Sequence, residues 1–473
     1  MKKFISLFFV GLLTAGLLTG CNNKDDKKPN TNDGDFASQL KLDLESGSAK
    51  QEVTVKRFVD GDTTHFNFEI PGDKQNSEEM MGITDGVLKA RYLGIDTPES
   101  TGKVQPWGKT AAKFTHDALA SATSIIIESE PLNNTWELDS TGGRYLVWVW
   151  YKNDNAEDEK YHDYRLLNLE LMQNGLAYSK NDLSYRYGKA IDEAITYVST
   201  NKVKVWNSSL KDPNFYYGAA QEVTLSYLRE KTYFNDDTGQ METVDRLAEY
   251  KDTAIRVTGI IYRIAGSSVY LQEDDPATGH TYGIQVYLGV GGELTNAVVG
   301  AKFCIVGTLQ YYESGAYYQI SGVKNPGFFG VADDESFRVD DQIYPTNPVT
   351  ITYDDYANRT EESLFANTRM ENLTVVDVYT TRKEGSSSYG AMTLTCKDKN
   401  QNTVTIRTQV LKENDVLVTE ERFMGKTITV IGMIQPYQPE NGDLTYQFEI
   451  YSMKDVTFID WLEGYKLWKR KIY

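Results

Sequence analysis

Cysteine, histidine, proline and positive charge are all scarce in this chain. It holds 3 Cys and 4 His in 473 residues, scattered rather than clustered. A disulfide-stapled scaffold is thereby excluded, and a zinc site, which needs several such ligands at short spacing, is disfavoured. Proline stops at 12, and neither a Gly-X-Y period nor a sustained heptad is present. Collagen-like, coiled-coil and low-complexity disordered classes are set aside on that composition. Basic residues number 49 against 67 acidic ones, a net charge of −18. The shortage runs along the chain: residues 1–52 carry seven charges of each sign, 53–206 carry 17 basic and 23 acidic, and 207–473 carry 25 and 37. No segment is basic, so general counterion release would give little affinity for nucleic acid. Any grip on phosphate has to come from a few local groups and a bound cation.

What is present begins with Met1-Lys2-Lys3 and an apolar run from Phe4 to Leu18. A charged start and a short apolar centre read as a secretory signal, too short for a comfortable membrane span. The run ends at Leu18-Thr19-Gly20-Cys21, which resembles a bacterial lipobox. The resemblance implies a signal peptide over 1–21, lipidation of Cys21, and a lipid anchor on the outer face of the cytoplasmic membrane. A tether rich in Asn, Asp and Lys, over 22–50, would hold the folded part off the bilayer. Cys304 and Cys396 lie in apolar or β-branched runs and are expected to be buried thiols.

At 473 residues the chain is too long for one core, and three folded domains are expected. The rich supply of tyrosine, 32 residues, suits strands. Residues 53–70 alternate like paired strands, and Val87 to Ile95, Ser124 to Glu128 and Arg144 to Tyr151 read as further strands. Gly108 to Ala122 reads as a helix through Ala111, Phe114, Ala118 and Leu119. Leu166 to Gln173 and Ala190 to Ser199 are two more. A linker with helix is expected over 208–249. Beyond it lies an internal repeat, in which Gly300 to Gln310 matches Gly425 to Gln435 with two glycines and the glutamine in register. Two small OB-like β-barrels are expected, over 250–330 and 345–460, followed by a tail over 461–473. Tyr262, Tyr270, Tyr287, Tyr311 and Tyr317 have the chemistry to stack bases on a barrel face, although packing is the stronger expectation.

The chemistry concentrates in Asp60-Gly61-Asp62-Thr63, Arg91, Gly94-Ile95-Asp96-Thr97-Pro98-Glu99 and Gly142-Gly143-Arg144. Asp62 and Asp96 suit a hard divalent cation, and the guanidinium forks of Arg91 and Arg144 suit a phosphate. Glu99 is left to handle water. Taken alone, Asp60-Gly61-Asp62 is a turn sequence; the company of Asp96, Glu99 and the arginines changes that reading.

Over residues 53–206 these motifs, with Gly108-Lys109-Thr110-Ala111 and Asn174-Gly175-Leu176-Ala177 following in order, resemble the staphylococcal-type nucleases. The resemblance implies a mainly β fold with helices, an α+β class. An OB-type barrel with three helices over 51–207 would precede the two smaller barrels. It implies Ca2+ on Asp62, Asp96 and the Thr97 carbonyl, with Glu99, Arg91 and Arg144 as catalytic residues. The implied activity is cleavage of DNA and RNA, single strands best, to 3′-phosphate ends with little sequence preference. Thr141-Gly142 stands where the family often has Lys-Tyr, and Tyr178, Tyr185 and Tyr187 all compete for a substrate-facing place. The OB-like repeats are expected to take a protein or nucleic-acid ligand; the rival expectation is a surface binding or scaffold protein with an idle nuclease domain, its barrels more naturally holding a protein or glycan.

Overall fold

The structure, a computed structural model, describes residues 34–459 except 75–76, 142, 236–239, 325, 328–334, 359–362, 387 and 439–442. The expected signal peptide, Cys21, the start of the tether and the tail over 461–473 lie outside the described residues.

The first domain is a six-strand path of order β1-β6-β7-β4-β3-β2, formed by β1 (Lys50–Glu52), β2 (Thr54–Asp60), β3 (Thr63–Asn67), β4 (Val87–Tyr92), β6 (Ser124–Glu128) and β7 (Tyr145–Lys152). A separate pair joins β5 (Gly94–Asp96) to β9 (Tyr178–Lys180), and β8 (Arg165–Leu166) adds to β7. Three helices flank the sheet: α1 (Gly108–Ala120), α2 (Leu167–Gln173) and α3 (Gly188–Thr200). The centre is β7, whose Val147, Trp148, Val149 and Trp150 are all fully buried. A strand covered on both faces reads as a continuous apolar run, as this one does. The run expected as one strand from Val87 to Ile95 is broken: Leu93 ends β4, and Gly94 adopts φ 75°, turning β5 away to pair with β9.

Glu128 ties this core together. Fully buried, it accepts hydrogen bonds from Ser48 Oγ at 2.6 Å, Trp150 Nε1 at 2.9 Å and Tyr187 OH at 2.9 Å, and it pairs with Arg186. The segment before β1, β7 and the start of α3 thus converge on one carboxylate. Residues 34–50 are accordingly no free tether. Phe36 and Ala37 are buried, and Asp35 pairs with Arg165, so the expected tether is docked on the domain from residue 34 on.

The stretch expected as a linker is also structured. It contains β10 (Gln221–Glu222), α4 (Leu225–Leu228), a hairpin of β11 (Thr232–Asn235) and β12 (Gln240–Thr243), and α5 (Arg246–Glu249). Leu225, Leu228 and Leu247 are buried in the core of the next sheet. Helices of four residues are too short to leave a periodic pattern.

Two closed sheets of the same order follow. The first runs β13 (Ala254–Ala265), β14 (Ser268–Asp274), β15 (Thr281–Tyr287), β17 (Tyr317–Ser321) and β16 (Ala301–Tyr312), and closes by pairing β13 with β16. It carries the short β18 (Pro326–Gly327) and β19 (Ser336–Ile343) on the β16 edge, so this unit extends past its expected limit at 330. The second begins with β20 (Val349–Thr350) and α6 (Tyr353–Ala357). It then runs β21 (Thr368–Thr380), β22 (Met392–Lys397), β23 (Thr403–Thr408), β27 (Thr445–Ile450) and β26 (Thr427–Tyr437), closing through β21 and β26. The small pair β24 (Lys412–Glu413) and β25 (Val416–Leu417) and the edge strand β28 (Val456–Phe458) complete it. The repeated Gly-to-Gln segments fall on β16 and β26, in equivalent places. Cys304 and Cys396 are buried free thiols.

The tyrosines fill the seam between the two sheets. Tyr262 OH donates to the Phe365 carbonyl at 2.6 Å, Tyr270 OH meets Tyr451 OH at 2.9 Å, and the Tyr317 ring lies 4.9 Å from that of Phe365. Arg263 adds a two-pronged pair with Asp455 at 2.9 and 3.1 Å. Tyr262 and Tyr270 are therefore packing residues and present no stacking face. Tyr311 packs edge-on to Tyr318 at 5.0 Å.

Removing the buried hub charge should be costly, because its partners are left without an acceptor. Glu128→Ala is expected to destabilise the first domain by about 3–5 kcal/mol, and Tyr187→Phe, which deletes one hydrogen bond, by about 1 kcal/mol. Urea unfolding followed by tryptophan fluorescence measures both, since Trp148 and Trp150 lie in this core.

Candidate active site

The hairpin of β2 and β3 turns at Gly61-Asp62, and its tip is clamped from three sides. Tyr92 N donates to the Asp62 carbonyl at 2.9 Å, and Thr115 Oγ1 of α1 bonds the Gly61 carbonyl. A Cβ at Gly61 would lie 2.8 Å from Thr97 Oγ1 and 2.9 Å from the Ala111 methyl, so this turn packs directly on α1 and on the loop after β5. The same contact explains Gly108. A Cβ there would meet the Glu99 carbonyl oxygen at 2.0 Å and Ser100 N at 2.9 Å. The first turn of α1 thus presses on the peptide that carries Glu99.

These packings bring five of the six expected chain residues together. Asp62, only 1% exposed, accepts from Thr97 N at 2.7 Å through one oxygen, and from Thr63 Oγ1 at 3.2 Å and Arg91 Nη1 through the other. The second terminal nitrogen of Arg91 bonds Asp96, so one guanidinium spans both carboxylates. Glu99 lies beside them: its amide donates to Gln105 Oε1 at 3.1 Å, and Gln105 N returns a bond to the Glu99 carbonyl at 2.9 Å.

Arg144 is not in this cluster. It lies just before β7, and the parallel register of Ala90 with Tyr145 and Arg91 with Leu146 places it on the same sheet face as Arg91. Its Nε donates to Asp139 Oδ2 at 2.6 Å, with the side chain 39% exposed. Among the tyrosine candidates the structure separates the roles. Tyr187 is buried on Glu128, and Tyr185 packs edge-on to Trp148 at 6.0 Å. Tyr178 pairs with Asp96 across β9 and β5 and stays 47% exposed.

Asp60, quoted in the motif but given no role by the sequence, belongs to the site. Its carboxylate accepts from Gly61 N at 2.8 Å and Ser100 N at 3.2 Å, and its charge acts on the Glu99 carboxyl. The signal was the first acidic residue of the turn, which a capping role explains equally well.

Electrostatics follow from this crowding. Asp62 is pushed up to about 6, chiefly by burial, with Arg91 and the Thr97 amide pulling the other way. Although Glu99 is exposed as a residue, its carboxyl end is turned into the cluster. Lost solvation there, and next the charge of Asp60, push it up to about 8. Among the described residues no group of three or more His, Cys, Asp or Glu side chains forms a metal cage. Asp62 and Asp96 do converge on one cation, the Arg91 guanidinium, and their oxygens together with the Thr97 carbonyl are hard donors of the kind calcium prefers.

This geometry falls within a segment that is similar to a known family. Residues 89–208 match the family described as Staphylococcal nuclease homologue. The chain carries a staphylococcal-nuclease-like domain. The matched span includes Arg91, Asp96, Thr97, Glu99 and Arg144, while Asp60 and Asp62 of the nuclease-like domain precede it and are joined to it by the contacts above. No curated protein matches the chain. The similarity of this domain to that family suggests a nuclease, acting on phosphodiester bonds and binding nucleic acid.

The Glu99 carboxyl is expected to titrate near 8 without a divalent cation. Asp60→Asn, which removes the neighbouring charge, should lower that value toward the ordinary glutamate range, and Arg91→Ala should raise it further. Carboxyl 13C NMR of the labelled protein reads the midpoint directly.

Proposed function

We propose that this protein is a calcium-dependent nuclease that hydrolyses extracellular DNA and RNA with little sequence preference, leaving 3′-phosphate ends. The observation that carries the reading is the single guanidinium held between the buried Asp62 and the part-exposed Asp96, with a third carboxyl of raised pKa beside them. Asp62, Asp96 and the Thr97 carbonyl would hold Ca2+. The ion, when bound, supplies positive charge to the phosphate oxygens and polarises water. So few protein donors suit weak binding, on the order of 10⁻⁴ to 10⁻³ M.

The chain's own groups do the rest. Arg91, relieved of neutralising two carboxylates, turns its fork to a phosphate oxygen and stabilises the charge that accumulates as water adds to phosphorus. Arg144, on the same sheet face and with its terminal nitrogens beyond the Asp139 contact, grips the phosphate from the other strand. Glu99 takes a proton from the attacking water once its own proton has left, and Asp60 keeps it oriented. The leaving 5′-oxygen departs on the far side of the phosphorus. Tyr178, exposed next to Asp96, offers a ring for a base, and no group in the cluster reads base edges. We further propose export and a lipid anchor at Cys21, which would place the site where calcium is plentiful, with the acidic surface favouring turnover over retention of substrate.

Cleavage of a fluorescent single-stranded oligonucleotide by the chain beginning after Cys21 tests this. Turnover should require Ca2+ and stop with chelator. Arg91→Ala should reduce kcat roughly 10²- to 10³-fold and Glu99→Gln roughly 10²- to 10⁴-fold; failure of the unmutated protein to cut under saturating calcium would overturn the reading.

The pH profile has a definite sign. A base with a raised pKa is protonated, and idle, below that value, so kcat/KM at limiting calcium should rise with pH to a midpoint near 8. Saturating cation opposes the buried negative charge and should move the midpoint down.

A further inference from the structure

The loop that carries Glu99 is not supported by the nuclease-like domain alone. Residues 100–107 swing out from β5 and return to α1, and along that path they are bonded to the segment after the domain. Gly102 N donates to Thr224 Oγ1 at 3.1 Å and Thr224 N donates to the Gly102 carbonyl at 3.0 Å. Lys103 and Val223 form an antiparallel bridge. Lys109 Nζ, one residue into α1, pairs with Glu222 Oε1 at 2.7 Å.

That segment is in turn part of the next sheet. Gln221 and Glu222 pair in parallel with Ile255 and Arg256 of β13, and Val223 N donates to the Arg256 carbonyl at 3.0 Å. Glu273 of β14 accepts from Leu225 N at 3.0 Å, fixing the turn that follows. The Glu99 loop is therefore stitched, strand to strand, onto the first closed sheet.

A second attachment lies at the loop's other end. Trp107 adopts φ 71°, a left-handed conformation that a bulky side chain adopts only when its surroundings impose it. Asp212, 2% exposed, imposes it: its carboxylate accepts from Trp107 N at 2.6 Å and from Thr110 Oγ1 at 3.2 Å. Both Asp212 and Thr224 lie beyond residue 208, where the family match ends.

We propose that Asp212 and Thr224 are positioning residues of the nuclease site, and that the segment 212–224 with its attached sheet holds the Glu99 loop in register with Asp60 and Asp62. The inference rests on the nuclease reading above for its kinetic arm only. Gln105, between the two anchors, exchanges backbone and side-chain bonds with Glu99, and Ser100, two residues before the first anchor, gives its amide to Asp60, so slack at either anchor passes to the carboxylate. A displacement of about 1 Å at a catalytic group is worth up to about 10²-fold in rate.

The test uses the full chain after Cys21. In Thr224→Val, which keeps the shape and deletes the hydroxyl, kcat on single-stranded DNA should fall roughly tenfold or more with KM within about twofold. Thr224→Ser, which restores the hydroxyl, should recover kcat. Hydrogen exchange on the same proteins supplies a readout that needs no turnover. In the unmutated chain the Gly102 and Trp107 amides should be protected to the degree of β13. In Thr224→Val, and in Asp212→Asn if the valine variant does not fold, exchange at Gly102, Glu99 and Gln105 should quicken while β13 stays protected. A folded Thr224→Val enzyme with unchanged kcat, or a Gly102 amide that exchanges like an open loop in the unmutated chain, would overturn the proposal. If the unmutated chain does not cleave at all, the nuclease reading has failed and the exchange result alone decides whether the loop is held.

Discussion

Burying the Asp62 carboxylate next to Asp60, Asp96 and Glu99 is the constraint around which the first domain is arranged. Four acidic groups in so small a space repel one another and lose solvation together, and such a site survives only with compensating donors and cations. The structure supplies them from separate elements: Thr97 N to Asp62, Gly61 N and Ser100 N to Asp60, and the Arg91 fork to Asp62 and Asp96. Each donor requires a specific backbone approach. That is why the turn at Gly61 and the helix start at Gly108 allow no side chain, and why the chain turns at Gly94 instead of continuing the barrel strand.

Such an arrangement stores an excess of negative charge that the protein alone relieves only in part. Burial first, and then the neighbouring carboxylates, raise Asp62 and Glu99. A divalent cation would offset that excess, and the phosphate charge of the proposed reaction would be met by that cation and the two arginines. The rigid core beneath serves it. Glu128 fixes β6, β7 and the start of α3 relative to one another, and β7 delivers Arg144 to the face that β4 gives Arg91.

Beyond the nuclease-like domain, the apolar and aromatic residues close two sheets and the seam between them. Tyrosines that have the chemistry for stacking bases are spent on that seam, with Tyr262 and Tyr270 sealed against Phe365 and Tyr451. With 25 basic against 37 acidic residues over 207–473, the C-terminal half is poorly suited to hold nucleic acid by charge. Its observed connection to the front of the molecule is mechanical, through β10 and the loop it borders.

The sequence by itself determined the periodic and the repeated. Ala111, Phe114, Ala118 and Leu119 mark α1, the continuous apolar run marks β7, and the Gly-to-Gln repeat falls on β16 and β26, because burial on a helix face or a strand leaves a period that can be read locally. The residue types of the site were legible too, since carboxylates, arginines and a turn glycine in motif order carry their chemistry with them. What only the tertiary structure decided is what depends on distant partners. Asp60 is a site member because Ser100 reaches it, Tyr178 is separated from Tyr185 and Tyr187 by what each one touches, and residues 34–50 and the helices at 225–228 and 246–249 are docked rather than loose because Arg165 and the core beside β13 receive them. Such choices rest on contacts between residues tens to more than a hundred positions apart, and a period along the chain holds no record of them.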